Sequence, residues 1–75
     1  MKIKLTGLSA ELFQSSEIET APFLTVKELK EELKRLKPEL TEMAMMVAVN
    51  DRLVEDSGRI GNKDKVLIFH PFAGG

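Results

Sequence analysis

One stripe of apolar residues at helical period governs what this chain can become. Val26, Leu29, Leu33 and Leu36 fall at i, i+3, i+7 and i+10, with charges on nearly every other position from Lys27 onward. A helix with a single apolar side must bury that side against another element. Thr25 with Glu28 three residues later predicts a capping box, the Thr oxygen accepting a first-turn N–H and the Glu carboxylate reaching back, and Pro38 predicts the stop. Residues 39–43 predict one more short turn. In 75 residues without a cysteine, one helix on one sheet is the largest core to expect, because a domain this small hides only about 60% of the surface its unfolded chain exposes.

The remaining pattern supplies short strands. Lys2-Ile3-Lys4-Leu5-Thr6 alternates, placing Ile3 and Leu5 inward and the lysines in water. Residues 15–20 alternate around Ile18, and their flanking Glu17 and Glu19 suit an edge strand paired with the first, across a connection over Leu8–Gln14 that is longer than a tight turn. Met45-Met46-Val47-Ala48-Val49 is an apolar run ended by Asn50-Asp51, which suits a central strand, and Leu53-Val54 pairs with it briefly after the turn. Residues 56–64 form a loop rich in Ser, Gly and Asn around one apolar plug, Ile60. Lys65-Val66-Leu67-Ile68-Phe69 is the last strand, and His70-Pro71-Phe72-Ala73-Gly74-Gly75 cannot continue a sheet comfortably. Strand, strand, helix, strand, short strand, strand is the order of an α+β β-grasp domain, a mixed sheet packed on one main helix and spanning residues 1–75 as a single unit.

Charge and motif content narrow the function. Eleven Lys and Arg stand against twelve Asp and Glu, for a net charge of -1, and the densest basic segment, Lys27 to Lys37, is interleaved with Glu28, Glu31 and Glu32. That is a solvated helix face rather than a nucleic-acid surface. No apolar run approaches the roughly 18 residues that span a bilayer, and Met1 to Leu8 carries Lys2 and Lys4 but no apolar run of signal-peptide length, so a cytoplasmic protein is expected. No Cys and one His leave no metal site, and no Walker loop, dinucleotide fingerprint or Gly-x-Ser-x-Gly occurs. Gly58 and Gly61 read as turn glycines, and the Met43, Met45 and Met46 group as core or interface filling. Ser15 and Ser16 have no His near them in sequence. His70 stands alone, and a single His with no orienting partner does not make a catalytic site.

Two features remain. The last strand is apolar on both parities, so if Val66 and Ile68 meet the helix, Leu67 and Phe69 must point to the open face of the sheet. In a monomer they would be exposed, which marks that face for docking on a partner. The chain then ends in two glycines, about 20 Å of extended reach beyond Phe69 at roughly 3.3 Å per residue. With no Cβ on Gly74 and Gly75, the backbone can thread a channel that a larger side chain would block.

Val49-Asn50 before Leu53-Val54, Asn62-Lys63-Asp64-Lys65-Val66 before the last strand, and Phe69-His70-Pro71-Phe72-Ala73-Gly74-Gly75 at the end resemble the MoaD/ThiS family of ubiquitin-like sulfur carriers. The ending is more like the MoaD branch, the small subunits of molybdopterin synthase, although His70 stands where that branch commonly carries a proline. The resemblance implies a carrier that is not catalytic alone and binds no cofactor. A carboxylate with an α-carboxyl pKa of about 3.3–3.7 is an anion at neutral pH and resists nucleophilic attack. In the family, an adenylating enzyme of the MoeB type uses ATP to place AMP on the terminal glycine, and sulfur from a donor persulfide displaces AMP to leave a thiocarboxylate. Here Gly75 would carry the sulfur and Gly74 would keep the tail slender and flexible. Leu67, Phe69, Pro71, Phe72 and Ala73 would meet the partner, a large subunit of the MoaE type in a heterotetramer, where two deliveries build the dithiolene of molybdopterin. A carrier for thiazole synthesis or another sulfur pathway, a ubiquitin-like protein modifier, and a plain interaction module remain as alternatives.

Overall fold

The computed structural model describes residues 1–71. Strands β1 (Lys2–Leu5), β2 (Glu17–Glu19), β3 (Met46–Val49), β4 (Arg52–Val54) and β5 (Val66–Phe69) form one mixed sheet in the order β2-β1-β5-β3-β4. β1 and β5 run parallel, and every other neighbouring pair is antiparallel. Helix α2 (Val26–Leu36) packs on one face. This is the expected β-grasp arrangement. β3 lies inside the sheet between β5 and β4, as expected, and the middle position is held by β5, with β1 and β2 on its far side.

The core follows from the two periodicities. Val26, Leu29 and Leu33 of α2 are buried against Ile3 and Leu5 of β1, Val47 and Val49 of β3, and Val66 and Ile68 of β5. Each such aliphatic side chain contributes about 1.5–3 kcal/mol on leaving water. Leu36, read as the fourth member of the stripe, is 42% exposed. The helix ends there, and a 3₁₀ turn at Pro38–Glu42 fills the core with Leu40 in its place. Ile60 plugs the long loop as expected, and Met45 joins the core.

The N–H groups of the first three residues of α2 all find partners outside the helix ladder, which is why the helix begins where it does. Val26 donates to the Gly58 carbonyl, Lys27 to that of Asp56 and Glu28 to Thr25 Oγ1, and the ladder then starts with Leu29 donating to the Thr25 carbonyl. A Thr cap of this kind contributes about 0.5–2 kcal/mol. The capping box is only half realised: the Glu28 carboxylate accepts from the Thr25 hydroxyl and not from the Thr25 backbone N–H. Gly58 must be glycine for packing reasons, since a Cβ there would collide with the Val54 side chain.

The segment read as a long connection after β1 is instead a helix, α1 (Gly7–Phe13). Its signals are weak. It has seven residues, its N-cap Thr6 makes no capping bond, and it ends on Gln14 in the left-handed region at φ 55° where Gly or Asn is the usual choice. Leu8, Ala10, Leu12 and Phe13 pack against the core, so tertiary contact rather than propensity holds it.

The turn between β3 and β4 places Asn50 and Asp51 at φ 52° and 69°, a pair of left-handed residues suited to a two-residue hairpin. Asn50 also ties this turn to the start of β5. Its Oδ1 accepts from the Lys65 N–H at 2.9 Å, and its Nδ2 donates to Asp64 Oδ1 at 2.9 Å. Asp64 Oδ2 in turn accepts from the Gly61 N–H at 2.6 Å. These donors hold the Asp64 carboxyl below the usual carboxylate range, the Gly61 N–H foremost and the Asn50 amide next. A depressed folded pKa means stability that is present above the ordinary aspartate value near 3.9 and lost as pH falls through the folded value. Asp64→Asn should therefore lower the urea midpoint at neutral pH and flatten its decline on acidification, the two proteins converging once the Asp64 carboxyl is protonated in the folded state. Parallel urea titrations between neutral and acid pH check this; identical slopes would show that Asp64 contributes nothing to acid sensitivity.

Candidate functional site

Two arrangements meet at β5. On the sheet face away from α2, cross-strand registry aligns Glu17, Lys4, Leu67, Ala48 and Leu53 in one row, with Met46 opposite Phe69 in a neighbouring pair. The half of this face built by β5, β3 and β4 is apolar, and the half built by β1 and β2 is charged. Leu53 is 60% exposed. Leu67 and Phe69 do point to the open face, but they are half-buried rather than fully exposed, because Met46, Ala48 and the Lys4 stem cover their flanks. Lys4, Ala48, Asp51, Lys65, Val66 and Leu67 line a depression of about 230 Å³ there. It is smaller than ordinary ligand pockets of roughly 300 Å³ or more.

The second arrangement is polar and sits where β5 ends. Thr6 Oγ1 donates to the Ile68 carbonyl at 2.8 Å, taking the place of a ladder N–H at the point where β1 turns into α1. Gly7, at φ +54°, makes that turn. His70 is buried. Its Nε2 accepts from the Ser9 N–H at 3.2 Å and lies 2.6 Å from Ser9 Oγ. Because Nε2 is the acceptor, the ring proton sits on Nδ1 and is donated to the Ala44 carbonyl at 3.0 Å. Ser9 is itself wholly buried.

A Ser hydroxyl on a His ring, with the other ring nitrogen oriented by an acceptor, has the connectivity of a nucleophile–base pair. The surroundings give it a different role. Ser9 Oγ has no access to solvent, the backbone N–H of the same residue occupies the same ring nitrogen, and the depression on the open face includes neither residue. The pair is a structural clamp. The carboxylates that depart from ordinary values are all held low, Asp56 by a hydrogen bond from Lys30, Glu32 by one from Arg35 and Asp64 as above. A general acid working at neutral pH needs the opposite direction. Among the described residues, no group of three or more His, Cys, Asp or Glu could hold a metal, and no helix is long and apolar enough to cross a membrane.

Of the sequence-derived site residues, the structure brings Leu67 and Phe69 together on the open face and places Pro71 just beyond β5 as its last described residue. Phe72, Ala73, Gly74 and Gly75 lie outside the described residues. Sequence reasoning missed Thr6, Ser9 and Ala44. Nothing in the local pattern links residues 6, 9 and 44 to position 70; the only available signal was a polar Ser on the inner side of an unrecognised helix.

The comparisons agree with this geometry. The model of the ThiS family matches residues 3–75. A Pyrococcus furiosus protein provisionally named molybdopterin converting factor, subunit 1, superposes with a TM-score of 0.76 at 26% identity, over 93% of this chain and 94% of that one. SAMP1 from Haloferax volcanii superposes with a TM-score of 0.72 at 21% identity, over 100% and 98% of the two chains, and so shares the fold. No curated protein sequence matches significantly. A β-grasp sheet with an apolar open face, a central last strand, and a family match running to the final glycine show that the chain belongs to the ThiS family of ThiS/MoaD-like sulfur carriers and ubiquitin-like proteins.

Proposed function

We propose that this chain is the sulfur-carrying small subunit of a molybdopterin synthase. The observation that carries the reading is the continuity of β5: the same central strand presents Leu67 and Phe69 on the open face and leads directly through His70-Pro71 into Phe72-Ala73-Gly74-Gly75. A partner seated on that face would have the terminal segment next to it. The name of the Pyrococcus furiosus relative supports molybdopterin over other acceptors.

The chemistry needs little from this chain. A carboxylate oxygen of Gly75 attacks the α-phosphorus of ATP on a MoeB-type enzyme, pyrophosphate leaves, and the resulting acyl adenylate carries a good leaving group. Sulfur of a donor persulfide attacks the carbonyl carbon and AMP departs. A thiol then attacks the donor-side sulfur of the resulting acyl disulfide, so that the S–S bond breaks, the thiocarboxylate leaves and the thiol ends in a disulfide with the donor; a MoaE-type subunit receives the thiocarboxylate. This chain supplies the docking face, the Phe72 anchor, and a terminus slender enough to enter two different active sites.

Mass spectrometry tests the reading. After incubation with the adenylating enzyme, ATP and a sulfur donor, the protein should gain the mass of one oxygen exchanged for sulfur, located at Gly75, and should lose it on addition of the large subunit and the pterin precursor. Loss only to a thiazole-forming system would move it to the other carrier branch. Lysine adducts of larger proteins would make it a modifier, and an inert terminus would reduce it to an interaction module.

A further inference from the structure

The polar cluster at the end of β5 exceeds what ending a strand requires. Pro71 alone would stop the ladder. Instead, three separate parts of the chain converge on residues 68–70: Thr6 holds the Ile68 carbonyl, Ser9 holds His70 Nε2 through both its N–H and its hydroxyl, and the Ala44 carbonyl holds His70 Nδ1. Every polar atom of the His70 ring is satisfied, and both His70 and Ser9 are buried. Burying a ring with two polar nitrogens costs free energy unless each finds a partner. An apolar residue would fill the same volume without that demand, so the directional bonds mark a place where geometry is being set.

That place is the base of the terminal segment. From Pro71 the chain can extend no more than about 14 Å to Gly75, so the position of its base decides which points in a partner its end can meet. Freeing residues 69 and 70 from the body would add about 7 Å of slack at 3.3–3.6 Å per residue and would scatter the directions of departure. We infer that His70 is a positioning residue: bridged between α1 and the approach to β3, it fixes the point and direction from which the terminal segment leaves the domain. The inference rests on the carrier reading for its consequence in sulfur transfer, but the anchoring itself can be measured without it.

Two measurements on the full chain test the inference. The first is the ¹H–¹⁵N heteronuclear NOE. In the native protein, Phe69 and His70 should match Val66–Ile68; in His70→Ala they should fall clearly below, while Ile3 and Leu33 stay unchanged. His70→Gln, which keeps an acceptor for the Ser9 N–H, should recover most of the difference. Ser9→Ala, which removes only the hydroxyl and suits a helix, should give a smaller drop and covers the case in which His70→Ala does not fold. The second is transfer of sulfur from the thiocarboxylate form to the large subunit. His70→Ala should lower the rate at saturation about ten-fold and move the half-saturating concentration less than about two-fold, since docking is intact and only the approach of the reacting end is disturbed. Partial unfolding alone would lower the apparent active concentration without this split, and that result counts against positioning. Unchanged NOE values at residues 69 and 70 in both His70→Ala and Ser9→Ala overturn the inference. If the native protein itself transfers no sulfur, the carrier reading fails, and the NOE comparison still decides whether His70 anchors the segment.

Discussion

Removing Gly74 and Gly75 will abolish thiocarboxylate formation while leaving the folded body as it was. The shortened chain ends on Ala73, about 7 Å short of the reacting position at roughly 3.3–3.6 Å per residue. Its new carboxylate has the right chemistry in the wrong place. Holding reactants in attack geometry is worth effective molarities of about 10⁵–10⁸ M, so a displacement of several ångströms should reduce adenylation and sulfur transfer at least a hundredfold, or about 2.7 kcal/mol of transition-state stabilisation. Stability should not follow. Every residue of the described core cluster lies between Ile3 and Ile68, and the clamp that ends the sheet closes at His70. The thermal midpoint of the truncated protein should agree with that of the full chain within about 2 °C, less than about half a kcal/mol for a domain of this size. Intact-mass analysis after reaction with the adenylating enzyme, ATP and sulfur donor reads the first quantity, and calorimetry reads the second. A truncated protein that still gains sulfur would show that the terminus is not the carrier.

The main elements could be read from the sequence because their signals are local. Val26, Leu29 and Leu33 repeat at helical period, Ile3 and Leu5 alternate, and Asn50-Asp51 is turn chemistry, so the helix, the first strand and the β3–β4 hairpin were each specified by a few neighbouring residues. The opposed parities of Val66/Ile68 and Leu67/Phe69 likewise needed only strand geometry to be assigned to two faces. What escaped was fixed by distant contact. α1 is held by Leu8, Leu12 and Phe13 on a core they join only after the sheet forms, and its usual caps are missing: Thr6 spends its hydroxyl on Ile68, and Gln14 stands where a glycine would have marked the end. The half-buried state of Leu67 depends on Lys4 and Ala48, 63 and 19 positions away in sequence. The Ser9–His70 pair is 61 residues apart in sequence and bears no motif. His70 has no partner near it in sequence, because the partner arrives with the fold.

On the proposed function, substitution of Leu67 by Asp should weaken binding to the large subunit without unfolding the chain. Leu67 stands at the middle of the open-face row, in register with Lys4 on one side and Ala48 on the other. In the free protein an aspartate there would face Lys4 across a parallel strand pair, and an opposite-charge neighbour of this kind contributes about 0.2–1 kcal/mol. That offsets part of the loss from withdrawing a half-buried leucine. In a complex the balance reverses: the carboxylate would be carried into the apolar zone formed with Met46, Ala48, Leu53 and Phe69, and burying a charge without a well-placed partner is costly. A central interface residue of this kind is worth about 2 kcal/mol or more, so the Kd for the large subunit should rise about 30-fold or more. Phe69→Asp should act in the same direction. Leu36→Asp supplies the comparison, because Leu36 is an exposed apolar residue on α2, the opposite side of the sheet from Leu67; its affinity should match that of the native protein. Titration calorimetry with each variant separates the cases. If Leu67→Asp and Phe69→Asp both bind as tightly as the native chain, partners seat elsewhere, and the apolar half of the sheet has another use.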